Sequence, residues 1–176
     1  MSTTIEVCVY SFDELSEKAK EKVLDHFREV CVQDDFAEYP REVLLEMLAE
    51  HGIFASRVYW STDRDRFAYL DKPSVDAEKC LSAILGVSQA QSDFSEIDVR
   101  IECENYARGC TKNVVWTSND EDDEYRNKIQ EFLDDMLDAF LKDVEKEYEN
   151  ALSDENVADF VRANEYVFRE NGEVFR

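Results

Sequence analysis

Glycine is scarce in this chain, with four residues in 176, and proline is scarcer, with two. Gly52, Gly86, Gly109 and Gly172 stand far apart. Phosphate-cradling loops need clustered glycines, because the backbone itself must approach the phosphate oxygens. The sequence therefore excludes phosphate-loop and dinucleotide fingerprints, and so few turn formers leave little room for long loops. Histidine is confined to His26 and His51. Neither stands beside a cysteine, serine or acidic motif of known spacing, so no nucleophilic triad is legible along the chain. His26 falls between the core-facing positions of a helix and reads as a surface or boundary residue.

Positive charge is also in short supply. Twenty Lys and Arg face 42 Asp and Glu, a formal charge of −22. Such a chain repels nucleic acid and anionic membranes, so neither is an expected direct partner. No apolar run approaches the roughly 20 residues that span a bilayer. Met1 to Glu6 lacks the charged and then apolar pattern of a signal peptide. The expectation is a cytoplasmic protein of a host cell. Cys8, Cys31, Cys80, Cys103 and Cys110 are odd in number, with no Cys-x-x-Cys pair. They read as buried free thiols in a reducing compartment, without a disulfide. Cys103 and Cys110 have no second close pair and no nearby histidine, which argues against zinc. No cofactor or metal is expected.

What is present is a core. Hydrophobic residues make up 44% and aromatics 12% of the chain, in periodic patterns that disordered acidic chains lack. The pattern predicts a single α+β domain over residues 1–176. A small, mainly antiparallel sheet packs with helices, followed by a long acidic C-terminal helix and a terminal hairpin. Thr3 to Tyr10 alternates as a half-buried strand. Ser11 and Ser16 supply helix-start chemistry, and Ala19, Val23, Phe27 and Cys31 keep helical spacing. Pro40 opens a second helix through Val43, Leu44, Met47 and Leu48, and Gly52 stops it. Phe54 to Ser61 and Arg66 to Leu70 read as strands joined by a turn. The spacing predicts a helix from Ser74 to Leu85, a loop from Gly86 to Ser95, and strands over Ile97–Cys103 and Asn113–Thr117. Ser153 begins a helix through Asn164. Asn171-Gly172 then signals a hairpin between Tyr166–Phe168 and Val174–Phe175. Tyr59, Trp60, Phe67 and Tyr69 lie on adjacent strands, where their β-propensity assigns them to the core.

The longest element runs from about Asp120 to Ala151. Tyr125, Ile129, Phe132, Leu133, Met136, Leu137, Phe140, Leu141, Val144 and Tyr148 recur at gaps of three and four, as in one amphipathic helix about 45 Å long. Between Asn119 and Asn150 thirteen acids face four bases. Asp120, Glu121, Asp122, Asp123 and Glu124 form a run without the glycine of a calcium-binding loop. Glu131, Asp134, Asp135 and Asp138 stand at i, i+3, i+4 and i+7, on one helix face with no base between them. Like charges at that spacing cost a few tenths of a kcal/mol per pair, so they do not favour the helix itself. Their axial separation of about 5 Å is close to that of backbone phosphates. A basic groove built for nucleic acid would accept such a surface, pairing its Lys and Arg with these carboxylates.

Two stretches carry a resemblance. Tyr10-Ser-Phe-Asp-Glu-Leu-Ser-Glu-Lys-Ala-Lys-Glu-Lys-Val23 is similar to the opening of a family of phage and prophage proteins often labelled antitoxin-like. Ser153-Asp-Glu-Asn-Val-Ala-Asp and Ala163-Asn-Glu-Tyr-Val-Phe168 resemble that family's ending. Between them Ser61 to Ala68 lacks the glycine-containing segment of the family pattern. The resemblance implies a mobile-element origin, and the family has no established catalytic residues to carry over to this chain. Together with the acidic face it gives an expectation: a non-enzymatic inhibitor that mimics nucleic-acid phosphates and blocks a basic, nucleic-acid-binding host defence complex of the restriction or CRISPR kind. Asp120–Glu124 and the 131–138 stripe would make the contact. Two alternatives stay open, an antitoxin against a basic toxin and, from another class, a metal-dependent hydrolase or nuclease.

Overall fold

The computed structural model describes residues 7–32, 36–64, 66–86, 98–106, 109–117 and 123–175. The fold is α+β, with helices α1 (Glu17–Cys31), α2 (Glu38–Glu50), α3 (Ala77–Leu85), α4 (Asp123–Ala151) and α5 (Asp154–Ala163) and three antiparallel strand pairs among the described residues. The chain divides into two compact units, one of Met1–Phe36 with Lys146–Arg176 and the other of Ala37–Glu145.

The first unit starts from its caps. The Glu14 carboxylate accepts from both the amide and the hydroxyl of Ser11, each at 2.8 Å, closing a single 3-10 turn over Phe12–Glu14. Ser16 caps α1 by accepting from the Ala19 amide at 3.4 Å, and Ser153 caps α5 from Asn156 at 3.2 Å. Each satisfies an amide that the helix cannot pair internally. Ala19, Val23, Phe27 and Cys31 then recur every fourth residue and are buried against Val157, Ala158 and Val161 of α5. Phe168 joins that core and bridges both Tyr10 and Val174.

The terminal hairpin expected around Asn171-Gly172 is observed, with Phe168 bridging Val174 and the Phe175 amide donating to Val167 O at 2.8 Å. The Gly172 amide donates to Arg169 O at 2.9 Å and the Arg169 amide to Glu173 O at 2.8 Å. The loop therefore holds three residues, with Gly172 left-handed at φ +84°. A Cβ there would lie 2.7 Å from the Ala19 carbonyl oxygen, so glycine is required twice over. The expected strand over Thr3–Tyr10 needs correction. Residues 3–6 lie outside the described residues, Val7 and Val9 are exposed, and Tyr10 alone pairs, through its bridge to Phe168. Over the described residues 7–10 the alternation is therefore not matched by strand pairing beyond Tyr10.

In the second unit Gly52, at φ +76°, ends α2 as expected. It leads into strand β1 (Ile53–Phe54), which pairs with β4 (Ser74–Val75). That pairing corrects the expected start of α3. Ser74 and Val75 are held by Phe54 and Ile53, and Asp76 caps the helix from the Lys79 amide at 3.1 Å. Strands β2 (Val58–Ser61) and β3 (Phe67–Leu70) form the expected hairpin. Strands β5 (Asp98–Tyr106) and β6 (Gly109–Thr117) pair over their full lengths. Both exceed the segments that alternation predicts, because the ladder is held by backbone bonds that a period-two test of side chains does not register. Ile97 and residues 87–95 of the expected loop lie outside the described residues.

Cys31 and Cys80 are buried free thiols, whereas Cys8 is exposed, which corrects the expectation that the cysteines are interior. Burial pushes the Cys80 thiol up to about 12, with the Asp76 charge adding to the effect. Among the described residues no helix is long and apolar enough to cross a membrane.

Candidate functional site

The expected helix over 120–151 is observed as Asp123–Ala151, 29 residues long. Ile129, Leu133, Leu137, Phe140, Leu141 and Val144 of α4 are all buried, at 3% exposure or less. Glu131 lies two positions from both Ile129 and Leu133, about 200° around the axis in an α-helix. Glu131, Asp134, Asp135 and Asp138 are accordingly all exposed. The structure thus brings these four acids onto one outward face. Of the other expected site residues, Asp123 and Glu124 are the first two residues of α4. Asp120, Glu121 and Asp122 lie outside the described residues.

One participant is invisible to helix spacing. Arg66, at the start of the β2–β3 hairpin's second arm, donates from Nε to Glu145 at 2.8 Å and from Nη1 to Asp138 at 3.4 Å. The Glu145 bond, with Asp138 adding, holds its guanidinium above the ordinary arginine value. Residue 66 is 72 positions from Asp138. No local pattern links them. Arg66 partly neutralises the C-terminal end of the stripe. Asp134 accepts from Gln130 Nε2 at 3.1 Å. Glu131 and Asp135 have no ion-pair partner among the described residues.

The strand aromatics divide, correcting their assignment to the core. Tyr59 pairs with Tyr69 and Ser61 with Phe67 across the β2–β3 ladder, so these residues share one face. Tyr59 and Tyr69 stack at 5.0 Å, Phe67 and Tyr69 at 6.0 Å, and Tyr59 remains 41% exposed. The opposite face carries buried Val58, Ala68 and Leu70, with Trp60 edge-on to Phe140 at 6.4 Å. Strand alternation sends successive aromatics to opposite faces, so four aromatics on two strands cannot all be interior unless both faces are covered.

Elsewhere chemistry is sparse. Among the described residues no group of three or more His, Cys, Asp or Glu is placed to hold a metal ion. A cavity of about 450 Å³ is lined by Lys22 and His26 of α1 and by Asn171–Val174 of the terminal turn. Its charged side chains are exposed, and Glu173 already faces Arg169 at 3.9 Å. No family model, curated protein or solved structure matches the chain.

Proposed function

We propose that the protein acts by binding, presenting the outer face of α4 to a basic groove of a nucleic-acid-binding partner. The observation that carries this reading is the outward stripe of Glu131, Asp134, Asp135 and Asp138 opposite a fully buried apolar face. Helix stability does not account for it, since like charges at these spacings repel. Carboxylates a few ångströms apart along a rigid axis resemble a phosphate backbone in charge and pitch, and they would displace the same counterions from a Lys- and Arg-lined groove. The likeness of the chain's two ends to phage and prophage proteins points toward host defence complexes such as restriction or CRISPR effectors as the partner.

The test begins with capture of partners from host lysate at low and high salt, followed by competition between this protein and DNA for the captured protein. Glu131→Gln, Asp134→Asn, Asp135→Asn and Asp138→Asn together remove four charges and keep shape. Affinity should fall at least tenfold at low salt, and its salt dependence should weaken. Undiminished competition by this variant would sink the site. Capture of a basic toxin that does not bind nucleic acid would favour the antitoxin reading. Turnover of nucleic acid or ester by the purified protein with a divalent ion would favour the hydrolase.

A further inference from the structure

Helix α2 has two apolar sides where one would suffice to dock it. Pro40, Leu44 and Leu48 are buried. Tyr39, Val43 and Met47 form a second ridge at i, i+4 and i+8, its two ends exposed (Tyr39 71%, Met47 41%) and Val43 between them half-buried. A surface helix ordinarily carries charge on its outer face, so a second apolar ridge is left without a covering partner among the described residues. Beside it runs an acidic ridge of Glu38, Glu42 and Glu46, all exposed and without ion-pair partners among the described residues. Glu42 follows Tyr39 by three positions and Glu46 follows Val43 by three, which makes them surface neighbours. Arg41 lies two positions from Tyr39, about 200° around the helix and so on the other side.

We propose that this face of α2 docks a basic amphipathic helix of a partner protein, its apolar stripe on Tyr39, Val43 and Met47 and its Lys or Arg flank on Glu38, Glu42 and Glu46. Charge selects this occupant from the others. A second copy of the chain would bring the same acidic ridge and no basic flank to the contact, leaving Glu38, Glu42 and Glu46 unmatched. Nucleic acid and anionic membrane are repelled by the same carboxylates. A partner helix suits the length, because Tyr39 to Met47 spans about 12 Å, roughly two turns. This inference stands on a different helix from the α4 stripe and does not depend on it.

The probe is a labelled Lys/Leu peptide of about five turns with leucines at i, i+3, i+4 and i+7, beside a scrambled peptide of the same composition. Fluorescence anisotropy should show the patterned peptide binding at least tenfold tighter than the scrambled one. Tyr39→Ser with Met47→Ser should remove that preference. Glu42→Gln with Glu46→Gln should weaken binding at low salt and little at high salt. The four-fold α4 variant should retain the preference, which separates this face from the stripe. Circular dichroism checks that the exposed substitutions leave the helix intact. Equal binding of the two peptides, or an unchanged preference in Tyr39→Ser/Met47→Ser, would overturn the proposal. A dimer that sedimentation detects and the same variant abolishes would overturn it in favour of self-association.

Discussion

The two regions use acidic residues in opposite ways. In the unit built from α1, α5 and the terminal hairpin, arginines clasp the acids. Arg162 holds Asp13 at 2.9 Å and Asp159 at 2.8 Å, while Arg28 pairs with Asp25 and Asp154 and donates from Nε to the Leu152 carbonyl at 3.2 Å. Two of these four acids, Asp13 and Asp154, also stand in the first turn of a helix, where the backbone dipole favours negative charge. On α4 the stripe lies in the middle of a 29-residue helix, where the dipole gives nothing, and Arg66 reaches its last member. Acids that serve the fold come with a cation or a helix end. Glu131 and Asp135 of the stripe have neither among the described residues, which is the pattern expected of charge kept available for something outside the molecule.

The sharpest way to break this comparison is to set apolar and acidic deletions side by side. Phe168 is completely buried and ties Tyr10 and Val174 to the α1–α5 core. Phe168→Ala should cost about 3–5 kcal/mol, and Leu133→Ala on the buried side of α4 about 2–5 kcal/mol, by lost burial and residual cavity. Asp135→Asn, on the outer side of the same helix, should leave stability unchanged or raise it by a few tenths of a kcal/mol as repulsion is relieved. Chemical denaturation measures all three. A loss of about 1 kcal/mol or more in Asp135→Asn would show that the stripe serves the fold after all.

A smaller effect sharpens the clasped side. Arg28→Met keeps the apolar stem and removes the guanidinium from Asp25, Asp154 and the Leu152 carbonyl. The two ion pairs are partly exposed and screened, so most of the loss comes from the carbonyl bond, and the total should be about 1 kcal/mol. The matching substitution Arg66→Met should cost less, since both of its partners are carboxylates that water can solvate. It should also raise affinity for a basic partner by uncovering Asp138. A fall in partner affinity would instead make Arg66 part of the binding surface.

Legibility along the chain followed the range of the forces involved. Ser16 and Ser153 were readable as caps because the chemistry is complete within four residues. The extent of α4 and the membership of its two faces were readable because a 3.6-residue period over 29 residues leaves little alternative. The short strand Ser74–Val75 was not, since its pairing with Ile53–Phe54 is a tertiary event and Ser74 also reads as a helix cap. The division of Tyr59, Phe67 and Tyr69 from Trp60 depends on which face of the hairpin is covered, which strand propensity does not encode. Arg66 joining Asp138 is likewise set by where the hairpin lies against α4. The second ridge of α2 was half legible: Val43 and Met47 stood out as apolar, but spacing alone does not say which of two apolar sides is buried.

The smallest expected effect concerns pH. The Arg162 guanidinium bonded to Asp13 holds that carboxyl below its ordinary value of 3.8, and the Ser11 amide and hydroxyl hold Glu14 below its ordinary 4.5. Both groups are more acidic folded than unfolded, so the unfolded chain takes up protons first as pH falls. Their stabilisation is complete above those ordinary values and disappears as pH drops through the lower folded ones. The protein should therefore lose melting temperature between about pH 5 and pH 3, windows set by these ordinary values, with the 3-10 turn over Phe12–Glu14 opening early by hydrogen exchange. Asp13→Asn with Glu14→Gln removes both depressed carboxyls. That variant should melt lower than the parent near neutral pH, by less than Arg28→Met, and its profile should be flatter below pH 5. An unchanged slope would mean that the clasped acids contribute no more to the fold than those of the α4 stripe, and the contrast between the two regions would fail.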